Sequence, residues 1–136
     1  MTIEWQNKYS VKVEEIDNQH KELVDTIDKL FQILGIDKDE KKLLDIFLKL
    51  EKYAVDHFAT EEKYFEKFKY NGAEEHIKEH ELFKKKVLEI KNKYLQNKKS
   101  GVISFELADF LEDWLLDHLV TMDQKYVECF QKNGLK

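Results

Sequence analysis

The sequence predicts an all-α fold: an up-down-up-down four-helix bundle with an extended N-terminal arm. Three observations carry this prediction. The 136 residues contain no Pro and only four Gly, which disfavours a turn-rich β architecture and leaves long helices unbroken. Polar breaks fall at Gly35 with Asp37 to Asp39, at Asn71-Gly72 and at Asn97 to Gly101. Between the breaks, apolar residues recur at offsets of three and four, the period of an amphipathic helix.

Each element follows from that period. The first segment, from about Asp17 to Leu34, carries Leu23, Val24, Ile27, Leu30, Phe31 and Leu34 behind Ile16. The second, from about Asp39 to Tyr70, carries Leu43, Phe47, Leu50, Ala54, Phe58, Tyr64, Phe65 and Phe68. The third, from about Ala73 to Leu95, carries Phe83, Val87, Ile90 and Tyr94. The fourth, from about Ser104 to Gln131, carries Leu107, Leu111, Trp114, Leu115, Met122, Tyr126 and Cys129. Ser104, followed by Glu106 and Asp109, is expected to cap this last helix. Four such stripes joined by short connections pack as a bundle. Residues 1–15 differ: Tyr9, Val11 and Val13 alternate with polar residues, so this stretch reads as an extended arm, with Trp5 or Tyr9 plugging one end of the bundle. Residues 1–136 form one domain, the arm and then the bundle over 16–136.

Composition narrows the function. With 28 acidic against 23 basic residues the net charge is −5, which is poorly suited to binding a nucleic-acid backbone. The lysine runs Lys84 to Lys86 and Lys98-Lys99 are interleaved with or lie near Glu79, Glu81 and Glu89 and read as solvated faces. No apolar run approaches a membrane span. The N-terminal residues lack a basic stretch followed by an apolar one, and the single Cys129 forms no internal disulfide. The expected location is the cytoplasm.

The histidines carry the chemistry. All five, His20, His57, His76, His80 and His118, continue an apolar stripe. His20 precedes Leu23, Val24 and Ile27 at offsets of three, four and seven. His57 and Glu61 extend the run Leu50, Ala54. His76 and His80 lie between Ala73 and Phe83, and His118 lies between Leu115 and Met122. One inward histidine is most simply a core residue bonded to a carbonyl or to water. Five of five inward, on four helices, with an inward Glu61, need a common partner, because buried carboxylates and imidazoles are costly unless paired or bound to metal. A metal centre inside the bundle satisfies them all. The ligand types favour iron, zinc or manganese over calcium or magnesium. Five imidazoles with carboxylates exceed a four-coordinate structural zinc site, which points to two metals.

The segments I-D-x-Q-H (Ile16 to His20), H-F-x-x-E-E-K-Y (His57 to Tyr64), H-x-x-x-H (His76 to His80) and W-L-x-x-H-x-x-x-x-D (Trp114 to Asp123) resemble the hemerythrin family, specifically its single-domain bacterial form. The resemblance spans nearly the whole chain. It implies a non-haem di-iron site in which His76, His80 and His118 complete one iron and His20 and His57 bind the other. Glu61 and Asp123 would bridge the pair with an oxo or hydroxo group. The family binds dioxygen reversibly at the open iron, reducing it to a hydroperoxide hydrogen-bonded to the bridge. The B–C turn departs from the family, reading Tyr70-Asn71-Gly72 where Tyr-Pro is frequent.

Asp123 enters only through the resemblance. It lies five residues after His118, about 140° round a regular helix, and spacing alone reads it as a surface acid. Either the helix is locally distorted, for example by a π-bulge, or tilt and side-chain reach close the gap. Leu23, Phe58, Trp114, Leu115 and Leu119 are expected to wall the open iron as a dry dioxygen pocket. Tyr126, one turn past Asp123, either hydrogen-bonds a bridging carboxylate or simply packs the bundle end. Carboxylate-rich bundle oxygenases use four Glu and two His. Here five His stand against two carboxylates, so the expected function is oxygen carriage, storage or local supply to an oxygen-consuming enzyme, and not catalysis. The alternatives are a di-iron enzyme reducing peroxide or nitric oxide, and an oxygen or iron sensor acting through a separate partner.

Overall fold

A computed structural model describes residues 3–34, 40–96 and 102–136. Two of the three predicted breaks, around Gly35 and Gly101, lie outside the described residues. Helix α1 spans Glu14–Gln32, α2 Glu40–Phe68 and α3 Ala73–Gln96. The fourth rod is composite: α4, Val102–Trp114, runs into a π-helical segment, Leu115–Met122, then a 3-10 turn, Asp123–Tyr126, then α5, Val127–Lys132. Helix α1 packs on α2 and α4, and α3 packs on α2 and α4. That closes a four-helix ring, and there is no strand among the described residues.

Two apolar clusters fill the ring. The larger includes Leu23, Ile27, Leu30, Phe47, Leu50, Phe83, Ile90 and Leu107. The smaller, Val11, Val13, Ile16, Phe65, Tyr126 and Phe130, closes the end nearest the α2–α3 turn. All five histidines, Glu61 and Asp123 are fully buried.

The arm lies along the side of the bundle. Glu14, Glu15 and Asp17 occupy the first turn of α1, where the helix dipole favours acids. Asp17 also accepts from the Val11 N–H at 2.8 Å and the Ser10 hydroxyl at 2.6 Å. The chain reverses at Lys12, whose φ of 62° is left-handed, so the Ile3 N–H reaches Asp28 Oδ1 at 2.9 Å. Asp28 lies on α1 about 21 Å beyond Glu14. Trp5 sits beside Lys21, and Gln124 holds the Ser10 carbonyl at 3.0 Å. The alternation of Tyr9, Val11 and Val13 is real, since all three are buried and Lys12 is exposed. The expected plug is corrected: Tyr9 packs on the larger cluster, and Val11 and Val13 close the end.

The expected cap is corrected too. Ser104 is buried inside α4, two residues past its start, and no acid lies in that first turn. Helix α2 ends in a Schellman motif: the Tyr70 N–H bonds the Phe65 carbonyl at 2.9 Å and the Lys69 N–H bonds Glu66 at 3.3 Å. Lys69 takes the left-handed position at φ 53°. Gly134 fills the same position after α5, at φ 79°, with Leu135 bonded back to Phe130 at 3.0 Å. The turn without proline is therefore closed by backbone bonds. The Tyr70 ring folds over Gly72, where a Cβ would lie 2.7 Å from the Tyr70 hydroxyl.

Candidate metal centre

The seven side chains singled out in the sequence meet between the two apolar clusters. On α2 the His57–Glu61 pair is one turn apart, and Nε2 of His57 lies 3.3 Å from Glu61 Oε1. Helix α3 brings His76 and His80 to the same oxygen, at 3.6 and 3.0 Å. Helix α1 places His20 Nε2 2.9 Å from His57 Nε2, and the fourth rod places His118 Nε2 3.1 Å from His76 Nε2. Two groups result, one of Glu61, His76, His80 and His118 and one of His20, His57, Glu61 and Asp123. Glu61 belongs to both.

Asp123 divides itself between them. Its Oδ1 lies 2.9 Å from both His76 and His118, and its Oδ2 lies 3.1 Å from His20. The π segment makes this possible. The Asp123 N–H bonds the His118 carbonyl, a five-residue step that returns Asp123 to the face of His118. Of the two alternatives left open by spacing, local distortion of the helix is the one found.

Outward-facing ring nitrogens fix the imidazoles. His57 Nδ1 donates to Gln19 Oε1 at 2.6 Å, His80 Nδ1 to Glu62 at 2.9 Å and His118 Nδ1 to Glu79 at 3.0 Å. Each bond holds the proton on Nδ1 and turns the Nε2 lone pair inward, as in metal sites generally. Gln19 is itself held by Thr60 at 3.0 Å. Tyr126 donates to Glu61 Oε2 at 2.5 Å and also packs on Phe65 and Phe130. Sequence reasoning missed Gln19, Glu62 and Glu79, and placed Glu79 on a solvated face. The available signals were weak: each of the three neighbours a ligand candidate in sequence but bonds an imidazole on a different helix.

The electrostatics call for positive charge. Burial alone disfavours ionised Glu61, yet the surrounding imidazoles of His57, His76 and His80 hold its carboxyl well below the usual range. Burial and the charge of Glu61 likewise oppose ionisation of Asp123, and His118 and His20 outweigh them. Burial lowers His118, but the charge and hydrogen bond of Asp123, with help from Glu79, lift it to about 10. His57 is lowered, burial being the dominant cause.

Residues and metal fit. Three imidazole nitrogens lie within 3.1 Å of the Asp123 oxygens, none in well-aligned hydrogen-bond geometry; once the proton on His118 is displaced, the nitrogen and oxygen lone pairs would be free to face an ion. Two nitrogens bound at right angles to one ion, at ~2.1 Å each, would be ~3.0 Å apart. The pairs His20–His57 and His76–His118 stand at 2.9 and 3.1 Å. The imidazole and carboxylate donors could hold iron, zinc or manganese.

The five residues expected to wall a gas pocket are all buried in the larger cluster. Phe58 stacks on His80 at 3.9 Å and Trp114 on His118 at 3.9 Å, so these two rings cover the His76–His80–His118 group. On the His20–His57 side the stacked ring is Tyr53, 4.8 Å from His57, a residue the sequence had not marked.

Comparison with known proteins agrees with the geometry. Residues 11–130 match the family model described as the hemerythrin HHE cation binding domain. The chain is 30% identical over 128 residues to bacteriohemerythrin of Clostridium acetobutylicum, covering 91% of this chain and 98% of that one. It is 32% identical over 125 residues to bacteriohemerythrin of Pseudomonas aeruginosa, covering 92% and 79%. Myohemerythrin of Riftia pachyptila is 29% identical over 122 residues, covering 90% and 88%.

Proposed function

We propose that this chain, which belongs to the hemerythrin family, binds dioxygen reversibly at a non-haem di-iron centre for carriage, storage or local supply to an oxygen-consuming enzyme. The observation that carries the reading is the sharing of Glu61 and Asp123 between two histidine groups of unequal size. His76, His80 and His118 with the two carboxylates offer five donors on one side; His20 and His57 with the same carboxylates offer four on the other. With iron bound, the side with fewer protein donors would have room for the gas, and an oxo or hydroxo group would complete the centre. Iron held there would supply electrons that a gas can borrow and return.

The protein's own residues favour return over reaction. Two carboxylates among five neutral imidazoles donate less negative charge than the four Glu of bundle oxygenases, so oxidised states are less stabilised. Leu23, Leu115 and Leu119, all buried, exclude water and slow proton delivery. Gln19, Glu62 and Glu79 hold the imidazoles in place while charge at the centre changes. We place the protein in the cytoplasm, where Cys129 stays reduced; no described helix is long and apolar enough to cross a membrane.

The test is oxygen cycling of the iron-loaded chain followed by optical spectroscopy. A spectral change that reverses on removing oxygen, with no net consumption of reductant, is expected. Steady turnover of peroxide or nitric oxide with a reductant would replace this reading by the enzymatic one.

A further inference from the structure

Two polar atoms beside the centre are buried without a hydrogen-bond partner: the Tyr53 hydroxyl and Trp114 Nε1. Neither is one of the imidazoles or carboxylates of the two donor groups. Their placement is parallel. Tyr53 sits one turn before His57 on α2 and stacks on it at 4.8 Å and 16°. Trp114 sits one turn before His118 and stacks on it at 3.9 Å and 10°. Phe58 and Phe83 pack against both rings, at 5.5 and 5.7 Å from Tyr53 and 5.9 and 4.7 Å from Trp114. One aromatic layer thus borders the core side of the centre and carries two polar atoms.

Both atoms are donors in this setting. An indole N–H can only donate. A phenol ordinarily loses its proton only near pH ~10. The phenol therefore keeps its proton. The Trp114 N–H acts on the Tyr53 oxygen, so the phenol O–H is the donor left unmet, which is costly in an apolar layer unless an acceptor comes to it. The nearest opening is a surface cleft of about 260 Å³ between α1 and α2, whose lining includes Tyr53 and His57, on the side with fewer protein donors.

We propose that Tyr53, seconded by Trp114, is a positioning and specificity residue that donates a hydrogen bond to the small acceptor-ended ligand taken at the His20–His57 side. The pocket is then not uniformly apolar: it selects ligands that gain negative charge on binding, a reduced dioxygen or a linear anion, over neutral ones. This rests on the proposed di-iron reading.

Azide is the probe. In the oxidised, iron-loaded protein Tyr53→Phe is expected to raise the azide dissociation constant about tenfold, the worth of one hydrogen bond to a charged acceptor. Nitric oxide, a poor acceptor, should bind the reduced variant as it binds the unaltered protein. Equal azide affinity at equal iron content overturns the proposal, and so does an equal loss for azide and nitric oxide, which marks loosened packing. The unaltered zinc-loaded protein supplies a readout independent of any variant. Azide should shift the Trp114 indole N–H resonance and leave that of Trp5 in place; an unmoved Trp114 signal in azide-saturated protein contradicts the donor role. Failure of the unaltered protein to take up iron removes the parent reading instead, and the donor role with it.

Discussion

Replacing Tyr126 by phenylalanine removes one hydroxyl and leaves the ring. The ring keeps its stack on Phe130 at 4.3 Å and its contact with Phe65 at 5.6 Å, so no cavity term enters. What is lost is the 2.5 Å bond to Glu61 Oε2, between two fully buried groups that water does not reach. A hydrogen bond to a charged group contributes about 1.5–3 kcal/mol, or roughly 10- to 150-fold in an equilibrium constant. One effect opposes it: the freed carboxylate is more basic and attracts a cation more strongly. The net expectation is therefore the lower end, metal bound about tenfold more weakly, within the ~10–100-fold range for outer partners of metal ligands. Competition against a graded chelator measures the affinity, and thermal melting of the metal-free protein measures the fold. A metal affinity unchanged within about twofold, with a lowered melting temperature, would show that Tyr126 only packs the bundle end.

Other perturbations give separate outcomes. Glu79→Ala removes the acceptor of His118 Nδ1 and should weaken metal binding about tenfold by the same chelator titration, while Glu81→Ala, whose partner is the exposed Lys84, leaves it unchanged. In the metal-free fold His118 holds its proton up to about 10, so metal must displace that proton at pH 8. Calorimetry in two buffers of different ionisation enthalpy should detect proton release, and affinity should rise with pH toward about 10. The raised value also stabilises the metal-free fold fully below His118's ordinary pKa, a contribution lost as pH rises through about 10. Lys69→Gly relieves the left-handed residue in the α2 Schellman motif and should stabilise the protein by about 0.5–1 kcal/mol in denaturant unfolding, with metal content unaltered. Leu115→Asp puts a carboxyl among the buried leucines and should speed oxidation of the oxygenated protein severalfold; an unchanged rate counts against the dry pocket.

What the sequence disclosed follows from helical period. His20, His57, Glu61, His76, His80 and His118 continue apolar stripes, so their shared direction was legible before any coordinates. Asp123 was not, because its facing depends on a π segment, and a hydrogen-bond register five residues long leaves no mark in a pattern of threes and fours. Its place came from resemblance, and the His118–Asp123 backbone bond supplies the physical cause. Gln19, Glu62 and Glu79 escaped notice for a different reason. They flank the stripes, where an acceptor for a buried imidazole and a solvated side chain look alike, and Glu79 on α3 serves His118 on the fourth rod. Tyr53 was overlooked because its use depends on the neighbouring helix. The arm's alternation was legible, but its course was not: the left-handed Lys12 folds it back along α1, leaving Val11 and Val13 to close the end.

The iron-to-polypeptide ratio of purified, iron-replete protein tests the central claim most directly, since Glu61 and Asp123, each shared between two sets of imidazoles, are proposed to hold two ions. The account predicts two irons per chain. One iron or none, in folded protein with all seven side chains intact, would contradict it.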